Sequence, residues 1–459
     1  MANRTGDRGA AREISGSTAE EIAASVRALI AEGELNAGDS LPPYRALAEA
    51  LGVNRNTAMT AYRLLVQASI AESRGRAGTV VADPHPEYEE EGFAHDTVLR
   101  DAGDGNPDPA FLPDPTRARL DPATPVLYGE PPVDSGLAEW GTRWIEQDQP
   151  RPFRLTVTAG AVDAVERLLA QALTRGDAVA LEDPCFLTSI STIRQNGYRA
   201  VPVEMDAEGM LPESLRAALE AGARAVVCTP RAHNPTGASL TGQRAKALRT
   251  VLADYPQVLV LEDDHFSFLA SAPYATIIGD DRRRWALVRS MSKALGPDTR
   301  IALVASDTET AERLAARISG GITWVSHFLQ RTAHAMLTDP ETMAQIRAAG
   351  EHYADRNAAF VEHLRSVGLD SASWDGLSVW VDTGSASAEV LTRLMRRGWI
   401  AREGSAFALA GDHQHHHRHL RLTVHRLTDA EMRRLATDLA EASLDASALG
   451  PRSRNRRAH

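Results

Sequence analysis

Hydrophobic positions near the start of the chain recur at helical spacing and predict three helices followed by a hairpin. The predicted elements are helices at 17–32, at 43–51 and from 55 onward, and a hairpin at 75–81. Ser17 and Glu20 are placed to form a capping box on the first helix, and Asn54 is placed to cap the third. This succession is the plan of a winged helix-turn-helix.

From residue 109 onward, short apolar runs alternate with amphipathic stretches. The candidate strands are 154–158, 178–182, 225–229, 258–262, 285–289 and 301–305. Strand–helix alternation favours a mostly parallel central sheet with ligands at the carboxyl ends of its strands. A long helical region and a small α+β subdomain are expected to follow it.

A chain of 459 residues exceeds one ordinary core, so we predict more than one domain. The predicted segments are 14–82, a winged helix-turn-helix DNA-binding domain; 83–108, an acidic linker; 109–445, the α/β domain; and 446–459, an Arg-rich tail predicted to be disordered.

The distribution of charge fits DNA binding better than the net charge of −11 does. Residues 40–82 carry five Arg against two acidic residues, a local charge of +3, whereas 83–108 carry nine acids and one Arg. Positive charge is thus confined to the helix-turn-helix and the tail.

Composition argues against a membrane or secreted protein. Hydrophobic residues make up 43% of the chain, no apolar run is long enough for a membrane span, and the first residues lack a secretory signal. Only Cys185 and Cys228 are present, and we expect buried core thiols rather than a disulfide. The predicted location is the cytoplasm.

Lysine usage singles out one position. Of the 50 Lys and Arg residues, only Lys246 and Lys293 are Lys, so ordinary cation positions are served by Arg. A Schiff base requires a primary amine that can lose its proton, which Arg cannot supply. Lys246 lies in a helical stretch and is expected to have no such role.

Polar residues follow several of the predicted strands. They lie in the segments 158–165, 233–237, 261–265 and 290–300. Together they offer a small-residue turn into a helix, an amide, carboxylates, two hydroxyls, the rare Lys and an Arg. A pyridoxal 5'-phosphate (PLP) site needs an acid at the pyridine nitrogen, a lysine, a phosphate seat and a donor near the phenolic oxygen.

With these motifs, segment 109–440 resembles the fold-type I aminotransferases. The whole chain resembles the MocR/GabR branch of the GntR-type regulators, and GNPDPAFLP (105–113) with EDPCF and EDDHF is closest to the PtsJ-like members, which are linked to vitamin B6 salvage. The resemblance implies PLP as cofactor and a homodimer.

The resemblance assigns a role to each matching residue. Lys293 would be the catalytic Schiff-base lysine, Asp263 would face the pyridine nitrogen, and Asn234 would contact the phenolic oxygen. The phosphate would be held by Ser290, Ser292, Arg300 and the backbone of Gly160, Ala161 and Val162. Phe186 would stack on the ring, Arg421 would bind a substrate or effector carboxylate, and Tyr128 would reach the partner subunit's phosphate.

One residue departs from the family pattern. The family usually has Tyr where this chain has His265. Histidine can donate the same hydrogen bond to the phenolic oxygen, but it titrates nearer neutrality, so efficient transamination is less certain.

The N-terminal segment matches the GntR pattern over AGDSLPPYRALAEALGVNRNTAMTAYRLL. The resemblance assigns DNA contacts to residues at the helix starts and the wing: Arg45, Asn54, Arg55, Asn56, Thr57 and Gly78. Pro43 and Tyr44 stand where relatives usually carry a small hydroxyl residue.

The His-rich stretch 413–419 invites a metal interpretation. Adjacent histidines in one loop cannot all face one ion, and no carboxylate-rich partner is evident, so we predict a solvated loop and no metal site.

Three functional interpretations remain open. The first is a PLP-dependent transcriptional regulator, in vitamin B6 or amino acid metabolism, whose chemistry at Lys293 modulates binding to an operator in double-stranded DNA. The second is an active PLP-dependent aminotransferase acting on an amino acid, and the third a regulator that has lost its cofactor. Lys293, Asp263 and Arg300 disfavour the third, and the local charge of +3 disfavours the second. The effector is an amino acid or a B6 vitamer, and we favour PLP itself.

Overall fold

A computed structural model of the chain divides into two compact units, residues 1–89 and 90–459. The structure describes residues 14–68, 70–73, 78–82, 91–92, 94, 97–120, 125–371, 375–409 and 416–448. The predicted tail beyond residue 448 therefore lies outside the described residues, as do 83–90 of the predicted linker.

The described part of the first unit contains three helices and a small sheet. Its elements are α1 (Ala19–Ala31), β1 (Ser40–Leu41), α2 (Tyr44–Leu51), α3 (Arg55–Gln67), β2 (Ala71–Ser73) and β3 (Thr79–Val81). The strands are antiparallel in the order β1-β3-β2. Ile22, Val26, Leu47 and Leu65 are fully buried and form its core. The winged helix-turn-helix prediction is confirmed.

Two local predictions in this unit are wrong by a few residues. The capping box uses Thr18 and Glu21 rather than Ser17 and Glu20, because α1 begins at Ala19 and its third residue is Glu21. The hairpin arms are β2 and β3, so 75–81 supplies only the second arm. Asn54 caps α3 as predicted, its side chain accepting from Asn56 N at 2.8 Å.

The second unit is built on an eight-stranded sheet. Its strands are β5 (Arg154–Thr158), β6 (Ala178–Asp183), β7 (Arg199–Asp206), β8 (Gly209–Met210), β9 (Ala223–Cys228), β10 (Leu259–Asp263), β11 (Trp285–Ser290) and β12 (Ala302–Ser306). Their order is β5-β12-β11-β10-β9-β6-β7-β8, and the central neighbours are parallel. All six predicted strands are present.

Helices cover both faces of this sheet, which explains its continuously apolar strands. The covering and connecting helices are α4 (Ser135–Glu146), α5 (Ala161–Ala170), α6 (Leu187–Gln195), α7 (Pro212–Glu220), α8 (Gly242–Ala253), α9 (Ser292–Leu295), α10 (Thr308–Ser319) and α11 (His327–Thr338). Two apolar cores, one on each face, contain Val226 and Leu287 on one side and Leu261 and Val288 on the other.

A smaller α+β region completes the second unit, as predicted. It consists of α12 (Pro340–Ser366), β13 (Val379–Asp382), α13 (Ser387–Arg396), β14 (Trp399–Ile400), β15 (Arg402–Glu403), β16 (His419–Leu422) and α14 (Asp429–Ala448). The sheet order is β13-β16-β15, and Phe360, Leu420 and Leu435 lie in the core beneath it.

The second half of the predicted linker belongs to this unit rather than to a connection. β4 (Arg100–Asp101) pairs in parallel with β14, and Ala102 is fully buried. The acidic residues suggested solvation, but here they are paired: Asp104 binds Arg426, and Asp101 accepts from Gly103 N at 2.7 Å. A high proportion of acidic residues does not by itself show whether their carboxylates are bonded within the protein or exposed to water.

Both cysteines are buried and free, as expected. Within the described ranges, no helix combines the length and the apolar character that crossing a membrane requires.

Candidate functional site

The carboxyl ends of neighbouring strands open onto one pocket. Asp263 ends β10, Ser290 ends β11, and Lys293 follows on the short helix α9. Asn234 lies on the loop after β9. The pocket lining includes Gly105, His233, Asn234, His265, Lys293 and Ser378. The sheet therefore assembles side chains that are far apart in sequence.

Asp263 and the pocket-lining Lys293 interact electrostatically, and both are partly buried. Burial raises the pKa of Asp263, which the charges of His265 and Lys293 offset in part. Burial also lowers the pKa of Lys293, opposed by the nearby Glu91 carboxylate. Asp263 Oδ1 is buried and has no hydrogen-bond partner. A ligand carrying a protonated ring nitrogen would satisfy that oxygen, so this part of the site fits PLP.

A second group of predicted residues surrounds the start of α5. Gly160 has a φ of 95° and precedes the first helical residues, Ala161 and Val162. A Cβ on Gly160 would lie 3.6 Å from Arg300 Cζ, so the guanidinium lies directly over this turn. A helix N-terminus beside a guanidinium is a suitable anion seat.

Two serines come shortly before the pocket lysine in the chain. Ser290 is buried, and its Oγ accepts from Ser292 N at 3.2 Å. Ser290 thus ends β11 and Ser292 begins α9, directly before Lys293.

The rings of Phe186 and His265 lie beside each other near the end of β10. Phe186 precedes α6, and its ring is nearly parallel to that of His265, with 6.3 Å between centroids and an interplanar angle of 19°. His265 Nδ1 is 3.8 Å from Asp263 Oδ2 and is buried without a hydrogen-bond partner. The site therefore holds two unsatisfied polar atoms on residues two positions apart in the chain.

Arg421, on β16, is fully buried and contacts the pocket-lining residue Asn234. Its Nη1 donates to Asn234 Oδ1 at 3.0 Å, its Nη2 donates to Gly103 O at 2.7 Å, and its guanidinium lies 5.0 Å from the Phe407 ring centroid. The predicted carboxylate-binding arginine is thus beside the predicted ring-contacting amide.

A carboxylate that no sequence pattern indicated lies beside the pocket-lining residue Asn234. Glu91 forms a two-bond ion pair with Arg421 and accepts from Asn234 Nδ2 at 3.0 Å. Glu91 lay in the stretch predicted as a linker, and it is 330 residues from Arg421 along the chain. No local pattern signals such a pair.

A buried acid–imidazole pair next to the pocket was also missed. Glu182 Oε2 accepts from Thr229 N at 3.0 Å and lies 3.5 Å from His233 Nε2. Burial raises the pKa of Glu182 to about 8 and lowers the pKa of His233 to about 3. Both groups are therefore neutral near pH 7.

Asp264, the residue after β10, binds two arginines. Its oxygens accept two hydrogen bonds from Arg231, each of 2.8 Å, and one from Arg289 Nε at 2.9 Å. Asp264 and Arg289 are fully buried. The adjacent residues Asp263 and Asp264 thus differ: Asp264 binds two arginines, whereas Asp263 Oδ1 has no hydrogen-bond partner.

Tyr128 does not line the pocket of its own chain. It is 88% exposed, and its ring lies 5.4 Å from that of Trp324. Its predicted contact with a partner subunit stays a prediction.

The predicted DNA-contacting residues lie at the starts of α2 and α3. Arg45, Asn54, Arg55 and Asn56 are exposed, Thr57 is partly buried, and Gly78, with a φ of 91°, is exposed before β3. Helix starts offer free N–H groups to phosphates.

Only part of the His-rich stretch is described. His416 Nε2 lies 3.4 Å from Asp183 Oδ1, whereas 413–415 lie outside the described residues. Among the residues that the structure does describe, no group of three or more His, Cys, Asp or Glu is arranged to hold a metal ion.

Comparison with known families matches both units. Residues 18–81 match the bacterial regulatory proteins of the gntR family, and 136–439 match aminotransferase class I and II. The fold of the second unit is similar to that of a Pyrococcus horikoshii kynurenine aminotransferase solved in complex with PMP. The TM-score is 0.67 at 21% identity, over 76% of this chain and 92% of the other.

Two curated relatives span both units. The vitamin B6 salvage pathway transcriptional repressor PtsJ of Salmonella typhimurium is 46% identical over 432 residues, covering 94% of this chain and 99% of the relative. The HTH-type transcriptional regulator TauR of Rhodobacter capsulatus is 26% identical, covering 82% of this chain and 87% of the relative.

Proposed function

Because this chain belongs to the gntR-family regulators that carry an aminotransferase class I and II domain, the MocR/GabR branch, we propose that it represses vitamin B6 salvage genes in response to PLP bound at Lys293. Members of this family are DNA-binding transcriptional regulators, and their second domain is of the PLP-dependent aminotransferase type. The gene target and the sign of regulation rest on the 46% identity to PtsJ.

The single observation that carries the proposed cofactor role is that Asp263 and Lys293, which follow the ends of the neighbouring strands β10 and β11, are close enough for their charges to influence each other. Bound PLP supplies an electron-withdrawing pyridine ring and an aldehyde that reacts with primary amines. Burial lowers the pKa of Lys293, so a larger share of its amine is neutral and nucleophilic near pH 7. Asp263 Oδ1, which has no partner within the chain, would accept from the pyridine nitrogen.

The other predicted residues would orient the cofactor. Arg300 and the start of α5 at Gly160 would hold the phosphate together with Ser290 and Ser292. A guanidinium and helix N–H groups are suited to a dianion.

The remaining side chains would contact the ring. Asn234 and His265 would face its phenolic oxygen, and Phe186 would lie against its face. His265 Nδ1 is a buried ring nitrogen without a partner, so it is free to form such a bond.

The proposal includes a homodimer that binds two half-sites in the cytoplasm. Residues of two neighbouring segments are large, apolar and exposed: Leu127, Tyr128, Ile322 and Phe328. Apolar surface of this kind is typical of a protein–protein interface. Dimeric winged helices predict half-sites related by the symmetry of the dimer.

Binding of the full-length protein to its own upstream DNA, measured with and without PLP, tests the proposal. We expect PLP to change the affinity of the wild type and to leave that of Lys293→Ala unchanged. Lys246→Ala is the matched control, since Lys246 is the only other lysine and is exposed on α8. Equal responses of wild type and Lys293→Ala to PLP would refute the proposal.

A further inference from the structure

A carboxylate of the chain itself lies on the guanidinium that family resemblance assigns to ligand carboxylates. Arg421 Nη1 is 2.5 Å from Glu91 Oε1, and Nη2 is 2.7 Å from Oε2. Two parallel N–H to oxygen bonds form the fork that guanidinium also uses for the carboxylate of an amino acid. One guanidinium edge cannot serve both carboxylates at once.

The backbone around Glu91 is shaped to receive its carboxylate. Gly105 has a φ of 66°, and a Cβ at this position would collide with Glu91 Oε2 and lie 2.8 Å from Arg421 Nη2. Gly92, the residue after Glu91, donates its N–H to Asp104 O at 3.0 Å. The Glu91 carboxylate thus lies over Gly105, where the absence of a side chain makes room for it.

Because Arg421 and Glu91 are both largely shielded from water, the ion pair between them is far more favourable than the same two charges apart. Arg421 is fully buried, and the side chain of Glu91 is 17% exposed. Burial pushes the pKa of Glu91 upward, but the Arg421 guanidinium and Lys293 outweigh it, and the pKa of Glu91 is lowered. Glu91 is therefore ionised, and an entering carboxylate must replace it rather than simply join it.

We propose that Glu91 is an intramolecular occupant of the Arg421 carboxylate site and excludes free amino acids from the pocket. This inference deepens the proposed function, on which it rests for the identity of the pocket. It assigns the small-molecule response to PLP, whose anchoring residues do not include Arg421. It also explains how a chain with an aminotransferase-like pocket would avoid acting on cellular amino acids.

The first test uses the apo form of the full-length protein and needs neither DNA nor PLP. Glu91→Ala leaves the buried Arg421 guanidinium without its carboxylate partner, and acetate is small enough to take the place of the missing carboxylate. We expect acetate to raise the melting temperature of Glu91→Ala but not that of the wild type. Acetamide, which has the same shape without the charge, and sodium chloride at equal ionic strength should raise neither.

The second test measures amino acid binding by calorimetry. L-alanine should bind Glu91→Ala at least about 10-fold more tightly than the wild type, whereas L-alaninamide, which lacks the carboxylate, should bind both equally. Glu139→Ala is the matched control, because Glu139 forms an exposed pair with Arg143 at 2.8 Å. Equal L-alanine affinities of wild type and Glu91→Ala would overturn the proposal, as would an equal effect of acetate on both.

A conservative variant covers the case in which Glu91→Ala does not fold. Glu91→Gln keeps the length and one hydrogen-bond acceptor but loses the charge that Arg421 pairs with. We expect it to bind L-alanine more tightly than the wild type does, and affinity no higher than that of the wild type would also overturn the proposal. Failure of these tests would leave the operator response to PLP untouched, so the two proposals fail separately.

Discussion

Arg55 Nη2 donates a hydrogen bond of 2.9 Å to the hydroxyl of Tyr44, and its guanidinium lies 5.2 Å from the Tyr44 ring centroid. The bond joins the first residue of α3 to the first residue of α2. Tyr44 therefore positions the arginine. The hydrogen bond and the charge of Arg55 lower the pKa of Tyr44.

Replacement of Arg55 should weaken operator binding without affecting cofactor loading. We expect Arg55→Ala to cost about 1–3 kcal/mol of binding free energy, because the proposed contact of Arg55 with a base edge or a phosphate would be lost. Fluorescence anisotropy with the upstream DNA at several salt concentrations measures this loss. Tyr44→Phe should cause a smaller loss, since it removes only the group that orients Arg55.

Arg143→Ala, on the exposed surface of the second unit, serves as the control for these variants. DNA affinity that is the same in Arg55→Ala and in Arg143→Ala would contradict the role of Arg55.

Asp263→Asn should weaken PLP binding without lowering the stability of the apo protein. The amide cannot form the charge-assisted bond to a pyridine nitrogen, which is worth about 1.5–3 kcal/mol, so PLP affinity should fall about 10- to 100-fold. The apo protein should be no less stable than the wild type, because burial already raises the pKa of Asp263 and disfavours its charge. Absorbance titration with PLP and thermal unfolding give the two values.

The matched control for that variant is Asp298→Asn, which changes an exposed acid in the turn after α9. Unchanged PLP affinity in Asp263→Asn would rule out the proposed contact with the ring nitrogen.

Asp264→Ala should destabilise the second unit by about 3–5 kcal/mol, because it leaves the buried guanidinium groups of Arg231 and Arg289 without their shared carboxylate. All seven tryptophans lie in residues 90–459, so urea unfolding followed by tryptophan fluorescence reports on this unit alone. Asp280→Ala removes an exposed partner of Arg151 and should cost less than about 1 kcal/mol. Comparable losses in both variants would be inconsistent with this buried network.

Glu182 should make the second unit less stable as pH rises. Its folded pKa of about 8 lies above its ordinary value of 4.5, so its stabilising contribution is complete below pH 4.5 and is lost as pH rises through about 8. Glu182→Gln stays neutral, and its stability relative to the wild type should increase by up to about 1.4 kcal/mol per pH unit across that window.

Urea unfolding followed by tryptophan fluorescence at several pH values measures that difference. Glu204→Gln, at an exposed position on β7, is the control. Parallel pH profiles for wild type and Glu182→Gln would disprove the expectation.

Local sequence patterns were sufficient for most of the framework, although β7 was not predicted. Each predicted strand of the large sheet agrees with the structure to within two residues, because continuously apolar runs mark strands that are covered on both faces. The sequence RAVPVEMD of β7 mixes polar residues and a proline with its apolar positions, and its strand character depends on pairing with β6. Such pairing is not visible in a local window.

The sequence by itself determined the two-unit plan, the strand ends at which Asp263, Ser290 and Lys293 lie, and the capping of α3 by Asn54, since periodicity, turns and caps act within one or a few turns of chain. Only the tertiary structure decided that Glu91 meets Arg421, that Asp264 binds Arg231, and that Glu182 lies against His233. These contacts depend on which strands become neighbours and on how deeply each side chain is buried. Both are properties of the packed chain and not of any single segment.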